Sequence, residues 1–327
     1  MARGLARRNS LLDSPPMADP LPFPTDLPEG ARVFDRRLVR ARRDRWASIL
    51  GQHDFLFREV ADRLAERLRD VTRRFPLALD LGARSGILAE TLGARGGIET
   101  LVQAELSPRL ARMAAAQGPT AIADEEALPF GDGRFDLILS NLSLHWVNDL
   151  PGTLIQVRRA LRPDGLFLAS LFGLGTLVEL RQALLEAEIE IAGGAGPRLS
   201  PFADLRDGAA LLQRAGFALP VADADTITVT YPNALALMRE LVRMGEANAT
   251  FARPRRPLRR ATLLRAAEIY GERHGDAEGR VPARFQVIYL TGWAPGPDQP
   301  KALKPGSAKS RLADALGVPE HKTGEKP

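Results

Sequence analysis

The sequence predicts an α/β protein: a doubly wound, mostly parallel seven-stranded sheet, with helices before it and a helical insertion before the last strand. Three observations predict this. Between residues 77 and 172, short apolar runs alternate with segments whose apolar residues repeat at three- and four-residue spacing. The links between them are short, as parallel crossovers covered by helices on both faces require. After residue 217 the order becomes strand, helices, strand, which fits an antiparallel hairpin on one edge of the sheet.

Two amphipathic helices come first, "FDRRLVRARRDRWASIL" (34–50) and "FLFREVADRLAERLRDV" (55–71). "LALDLG" (77–82) is a buried strand, and "ILAETLGA" (87–94) is a helix stopped by glycines. "ETLVQAEL" (99–106) is the second strand. The helix after it, 107–118, has Ser107 as its cap and Pro108 in its first turn. "TAIAD" (120–124) and "RFDLILSNL" (134–142) are strands, and "LPGTLIQVRRAL" (150–161) is the next helix. "RPDGLFLASLF" (162–172) is a turn and a fifth strand. Residues 204–217 form a helix and 224–231 an alternating strand; two helical stretches follow (234–245 and 258–272), then a final strand, 284–293.

The chain divides into a disordered segment (1–30), N-terminal helices that could close over the strand ends as a lid or lie as a plain surface face (31–75), a ligand-binding core (76–173), substrate-side helices and edge strands that complete the sheet (174–295) and a disordered tail (296–327) with a short helix at 310–316. The opening "MARGLARRNSLL" bears arginines and no acids, in the manner of a mitochondrial transit peptide. A disordered start, or initiation at Met17, is the reading we set against that.

Composition narrows the function. There is no cysteine among the 327 residues, which excludes disulfides, thiolate metal sites and a cysteine nucleophile. All five lysines lie beyond residue 300, so 40 of the 45 basic residues are arginine. They are interleaved with acids, as in "REVADRLAERLRD" (58–70), which is the pattern of a solvated helix face. Aromatics make up 6% and do not alternate with basic residues, so no nucleic-acid partner is expected. "GLFLASLFGLGTLV" (165–178), the longest uncharged stretch, has 14 residues against the roughly 20 that span a bilayer, so no transmembrane segment is expected.

In a doubly wound sheet, ligands sit beyond the carboxyl ends of the strands. The first strand offers Asp80, Gly82 and Gly86 there, the second Glu105, the third Asp124 with Glu125 and Glu126, and the fourth Asn141 and "SLHWVND" (143–149). The glycines permit a tight turn and close approach of a ligand. An acid some 20 residues further on, Glu105, can accept from ribose hydroxyls, and Asp124 can accept from an adenine amino group.

This set, with "LPFGDGRFDLILS" (128–140), resembles the seven-stranded, Rossmann-like S-adenosylmethionine-dependent methyltransferase family. The resemblance implies S-adenosyl-L-methionine as cofactor. It places Asp80, Gly82 and Gly86 at its methionine part, Glu105 at its ribose and Asp124 at its adenine, with Leu106 and Ala123 flanking the ring. Across residues 33–293, "VFDRRLVRARRDRWA", "ADEEALPF", "LSLHWVNDLPGTL", "YPNALALMRELVRMGEAN" and "VPARFQVIYLTGW" resemble the complex I assembly factor 5 family and its bacterial relatives. That family implies hydroxylation of an arginine in an iron–sulfur subunit of complex I, in the cytoplasm or, for a eukaryotic chain, the mitochondrial matrix. Two alternatives stay open: methyl transfer to a small molecule or carrier-bound acid, and a non-catalytic assembly factor.

The family turn has glycine at its centre, whereas here the middle three residues are Ala83, Arg84 and Ser85. We expect an ordinary φ at Arg84, its side chain directed to solvent or to the ligand's carboxylate, and set against that a strained turn that weakens cofactor binding. His145 is the candidate catalytic base, against a packing role beside Trp146. His274 and Asp276 form an iron-like His-x-Asp pair without an evident third ligand, so we expect an exposed loop and no metal site. Met238 and Met244 are expected in the core. "FARPRRPLRR" (251–260) is expected as an exposed basic loop able to meet an acidic partner.

Overall fold

The computed structural model describes residues 32–202, 205–297, 299 and 317–318. The expected disordered segment 1–30 and the helix at 310–316 lie outside the described residues. One sheet organises the rest, in the strand order β3-β2-β1-β4-β5-β7-β6. Its members are β1 (Leu77–Leu81), β2 (Thr100–Glu105), β3 (Thr120–Ile122), β4 (Phe135–Asn141), β5 (Leu161–Phe172), β6 (Ala218–Tyr231) and β7 (Val281–Trp293). β1 to β5 pair in parallel, and β7 runs antiparallel between β5 and β6. The strand order reverses between β1 and β4, and that switch point is where such a sheet opens a crevice for a ligand.

Alternate residues of each strand feed the two faces. Ala78, Leu137 and Leu139 pack on one side, with α2 (Phe55–Arg69), α6 (Val178–Ala192), α8 (Ala234–Arg243) and α9 (Arg260–His274). Leu79, Leu81 and Ile138 pack on the other, against α5 (Leu150–Ala160) and α7 (Leu205–Arg214). Short links carry the helix starts. Ser107 accepts from Leu110 N at the head of α4 (Pro108–Ala114), and Asp149 accepts from Gly152 N at the head of α5.

Two expectations about helices are corrected. The helix predicted over 34–50 ends at Trp46: α1 (Arg36–Trp46) gives way to a 3₁₀ turn, Ala47–Gln52. Ala47 and Leu50 enter the core three residues apart, the spacing a 3₁₀ turn aligns. The second is α6, where no helix is expected from the sequence. Its periodicity is blurred because Glu179 and Glu188 are buried while Leu185, Ile189 and Ile191 are exposed.

β6 is an outer strand, and its pairing with β7 shifts register between Ala218 and Val221, around Pro220 and a left-handed Leu219. Asp223 and Asp225 on it pair with Arg67 and Arg63 of α2. Among the described residues no helix is long and apolar enough to cross a membrane.

Candidate cofactor and active site

β1 delivers Asp80 to the switch point and turns at Gly82, whose N–H donates to Ala104 O at 2.8 Å. Gly82 has φ +80°, and a Cβ there would collide with the Ser143 side chain. Gly86, at φ +90°, opens the short helix α3 (Ile87–Leu92). Between them Arg84 has φ +51°, which overturns the expected ordinary φ. The left-handed turn aims the Arg84 N–H at Glu105 Oε2, 2.8 Å away. The side chain is not directed to solvent. Its guanidinium lies 3.8 Å from the centre of the Phe57 ring and donates to Leu142 O (2.9 Å) and Glu246 Oε1 (2.5 Å).

Asp80 is fully buried, and neither of its carboxylate oxygens has a partner among the described residues. Burial, then the negative charge of Glu105, pushes its carboxyl well above the usual carboxylate range. Glu105, at the tip of β2, is saturated by contrast. Ser107 N donates to Oε1 (2.8 Å) and Arg84 N to Oε2, while Arg43 of α1 donates across the first (3.1 Å). Asp124, just after β3, accepts from Arg36 on one oxygen, and its other oxygen is buried without a partner.

Helix α1 therefore lies over the strand ends and supplies their cations. Arg36 pairs with Asp124 and Glu125, and Arg43 with Glu105 and Glu125, while its second nitrogen donates to Ser143 Oγ (2.9 Å). Burial disfavours the charge of Glu125, but Arg36 and Arg43 override it and hold the carboxyl at about 2. Burial likewise opposes the charges on both arginines. The acids win, and both guanidinium groups are held more firmly protonated than usual.

Of the other predicted residues, Leu106 packs with Phe34, Val39 and Trp146 beneath α1, and Ala123 lies in the core under α5. Asn141 is engaged elsewhere: its amide donates to Phe57 O (2.8 Å) and accepts from Ser170 Oγ (3.1 Å). His145 follows β4 and is buried between Trp146 and Phe172, with ring centres 5.3 and 4.7 Å away. Its Nε2 lies 3.0 Å from Glu246 Oε2, which also accepts from the Trp146 indole (3.1 Å). Burial opposes the charge of Glu246, but Arg84 and then His145 hold it at about 2. An ionised carboxylate only accepts, so Nε2 carries the proton and Nδ1 keeps its lone pair. Nδ1 is buried and has no partner among the described residues. Burial dominates for this ring and lowers its basicity despite Glu246.

Arg36, Arg43 and Glu246 were not singled out from sequence, and Glu125 and Ser143 were noted only among the strand-end residues, without a role. A signal existed for two of them: Arg36, Val39 and Arg43 fall on one helical face, where two arginines flank an apolar residue. At the other candidate, Asp276 Oδ1 accepts from the N–H groups of Glu278 and Arg280, so it organises a turn. Met244 is in the core, Met238 is half-buried, and the basic loop 251–260 is largely exposed.

Comparisons with known proteins establish the family and the fold. A family model described as a methyltransferase domain matches residues 79–169, from β1 into β5. The chain is 43% identical over 292 residues to the mitochondrial arginine-hydroxylase NDUFAF5 of Danio rerio, covering 88% of this chain and 90% of the relative. The chain belongs to the NDUFAF5 family of methyltransferase-fold enzymes. A malonyl-[acyl-carrier protein] O-methyltransferase of Halorhodospira halophila is 35% identical, covering 86% of this chain and 96% of the relative. The YcgJ protein of Bacillus subtilis shares the fold, with a TM-score of 0.51 at 14% identity over 71% of this chain and 97% of that chain. The similarity to NDUFAF5, over 292 residues, extends well beyond the matched domain.

Proposed function

We propose that this member of the NDUFAF5 family binds S-adenosylmethionine at the switch point and hydroxylates an arginine of a protein, in a bacterial cytoplasm or a mitochondrial matrix. The observation that carries the cofactor reading is Asp80: a buried carboxyl with two unpartnered oxygens, beside a glycine turn, suits the ligand's ammonium group. The unpartnered oxygen of Asp124 suits an adenine amino group, and Glu105 suits ribose hydroxyls in place of Arg43. The cluster sets five carboxyls (Asp80, Glu105, Asp124, Glu125 and Glu246) against three guanidinium groups, so a cationic ligand improves its balance.

When bound, S-adenosylmethionine would supply an electrophilic methyl group, the chemistry of methyl transfer; arginine hydroxylation would draw its oxygen atom from dioxygen, with two electrons from a reductant and release of water. The chain's own residues bind, orient and move protons. Arg84, locked by Glu246 and Phe57, fixes the floor of the turn. Glu246 orients His145, whose Nδ1 is the group free to take a proton from the substrate. The NDUFAF5 relative matches at higher identity than the carrier-protein methyltransferase, which favours a protein arginine as substrate. Methyl transfer to a carrier-bound acid is the second reading, supported by the 35% identity to that enzyme.

Two experiments test this. Calorimetry should show Glu105→Ala weakening S-adenosylmethionine binding about tenfold or more, since ribose hydroxyls would lose acceptors worth roughly 1–3 kcal/mol. Mass spectrometry of the complex I iron–sulfur subunit from a deletion strain should show the loss of one oxygen atom on an arginine. The loss of a methyl group instead would support the second reading.

A further inference from the structure

A groove of about 820 Å³ runs between α6, α8 and the 253–258 loop, floored by Leu180, Leu184, Met238 and Leu241. Its inner wall includes Glu246, the partner of His145. A second cavity of about 490 Å³ lies on the other flank of the same loop and shares Arg198, Arg255 and Arg256 with the first. Residues 254–258, "PRRPL", are thus a ridge between two depressions, with a proline on either side of its two arginines.

The charge around this apolar floor is one-sided. Arg42, Arg198, Arg253, Arg255 and Arg256 line the groove, against Asp35 and Glu246. Both Glu246 oxygens are already taken by Arg84, His145 and Trp146. Asp35 caps α1 and meets Arg253 only at 3.4 Å. Arg42 spends its guanidinium on the Ala247 and Asn248 carbonyls, and Arg198 pairs with Glu188. Burial, then the repulsion of Arg253, lowers the Arg42 pKa, as expected where cations are crowded with too few anions. Arg255 and Arg256 are exposed, and their side chains have no partner among the described residues.

We propose that this groove and its arginine ridge dock an acidic peptide segment carrying apolar side chains, presented by the protein substrate. The inference rests on the protein-substrate reading given above. Cations on both flanks of one ridge match several negative charges spread along a chain better than one small anion. The apolar floor takes alternate side chains, and the groove leads to the wall where Glu246 holds His145.

The probe is a fluorescein-labelled peptide of about a dozen residues, half Glu and Asp and half Leu and Val, titrated into the full chain by anisotropy. Saturable, salt-sensitive binding is expected. Arg255→Glu/Arg256→Glu, at exposed positions, should weaken it at least tenfold, and Met238→Glu, on the floor, should do the same. Wild-type chain that fails to bind overturns the proposal, as do both variants staying within twofold. Equal affinity for a peptide of Glu and Gly, or for an oligonucleotide of equal charge, also overturns it by removing the apolar floor from recognition. S-adenosylmethionine calorimetry runs in parallel on every sample. Intact cofactor binding with no peptide effect sinks the docking surface alone, whereas absent cofactor binding in the wild type sinks the functional reading beneath it.

Discussion

Replacing Arg84 by glycine sets two effects of opposite sign against each other. A left-handed φ costs a non-glycine residue roughly 1–2 kcal/mol, so Arg84→Gly relaxes the turn by about that much. The same change strips Glu246 of the cation 2.5 Å away, and leaving one member of a buried pair uncompensated costs about 3–5 kcal/mol. The stacking of the guanidinium on Phe57 adds roughly 1 kcal/mol to the loss. The loss wins, and urea unfolding at neutral pH should show the variant destabilised by about 2–5 kcal/mol. The background decides whether the reasoning is right. In Glu246→Gln the carboxylate is gone and Arg84 is itself the unpaired buried charge, so Arg84→Gly should there stabilise the fold. A stabilised single variant, or the same cost in both backgrounds, would refute the assignment of Arg84 as the counter-ion of Glu246.

Glu125 and Glu246 titrate at about 2 in the fold against an ordinary 4.5, so each contributes on the order of 3 kcal/mol that is fully present above pH 4.5 and lost as the pH falls through 2. Urea midpoints taken at intervals across that window should fall steeply, and less so in Glu246→Gln. Because burial raises the Asp80 carboxyl, an ammonium group seated on it should expel a proton, increasingly as the pH is lowered. Calorimetry in buffers of different ionisation enthalpy reads that proton directly, and uptake instead of release would remove Asp80 from the site. Arg43→Met should lower the melting temperature, by breaking buried pairs worth about 3 kcal/mol, yet give a larger upward shift with S-adenosylmethionine than the wild type, since Glu105 is then unblocked. The His145 ring should titrate below 6.5 by NMR, and Glu246→Gln should lower it further.

The parallel half of the sheet was legible because its signals are local: apolar runs of strand length, glycines at the turn and acids one strand apart. Glu105 and Asp124 follow from that spacing alone. What surrounds them was not legible, because the partners lie far away in sequence. Arg43 reaches Glu105 over 62 positions and Arg84 reaches Glu246 over 162. Spacing says nothing about such pairs, and an arginine in a charged helix reads as solvated until the fold shows which face is buried. The conformation of Arg84 was misjudged for a related reason. Steric preference favours an ordinary φ, and it was overridden by tertiary bonds to Glu105, Leu142 and Glu246 that no local rule contains.

The outer strand β6 bears on how this chain behaves in company. Among the described residues β7 alone pairs with its 14 residues, and a long unpaired edge is a template on which a second copy can add a strand. Pro220 withholds an N–H near its start, the register shift at Ala218–Val221 bends it, and Asp223 and Asp225 put charge at its middle. Arg63 and Arg67 hold those aspartates from the α2 side. The strand is thereby guarded against self-association by residues that have no part in the cofactor cleft, and loosening them would tell in solubility before it told in catalysis.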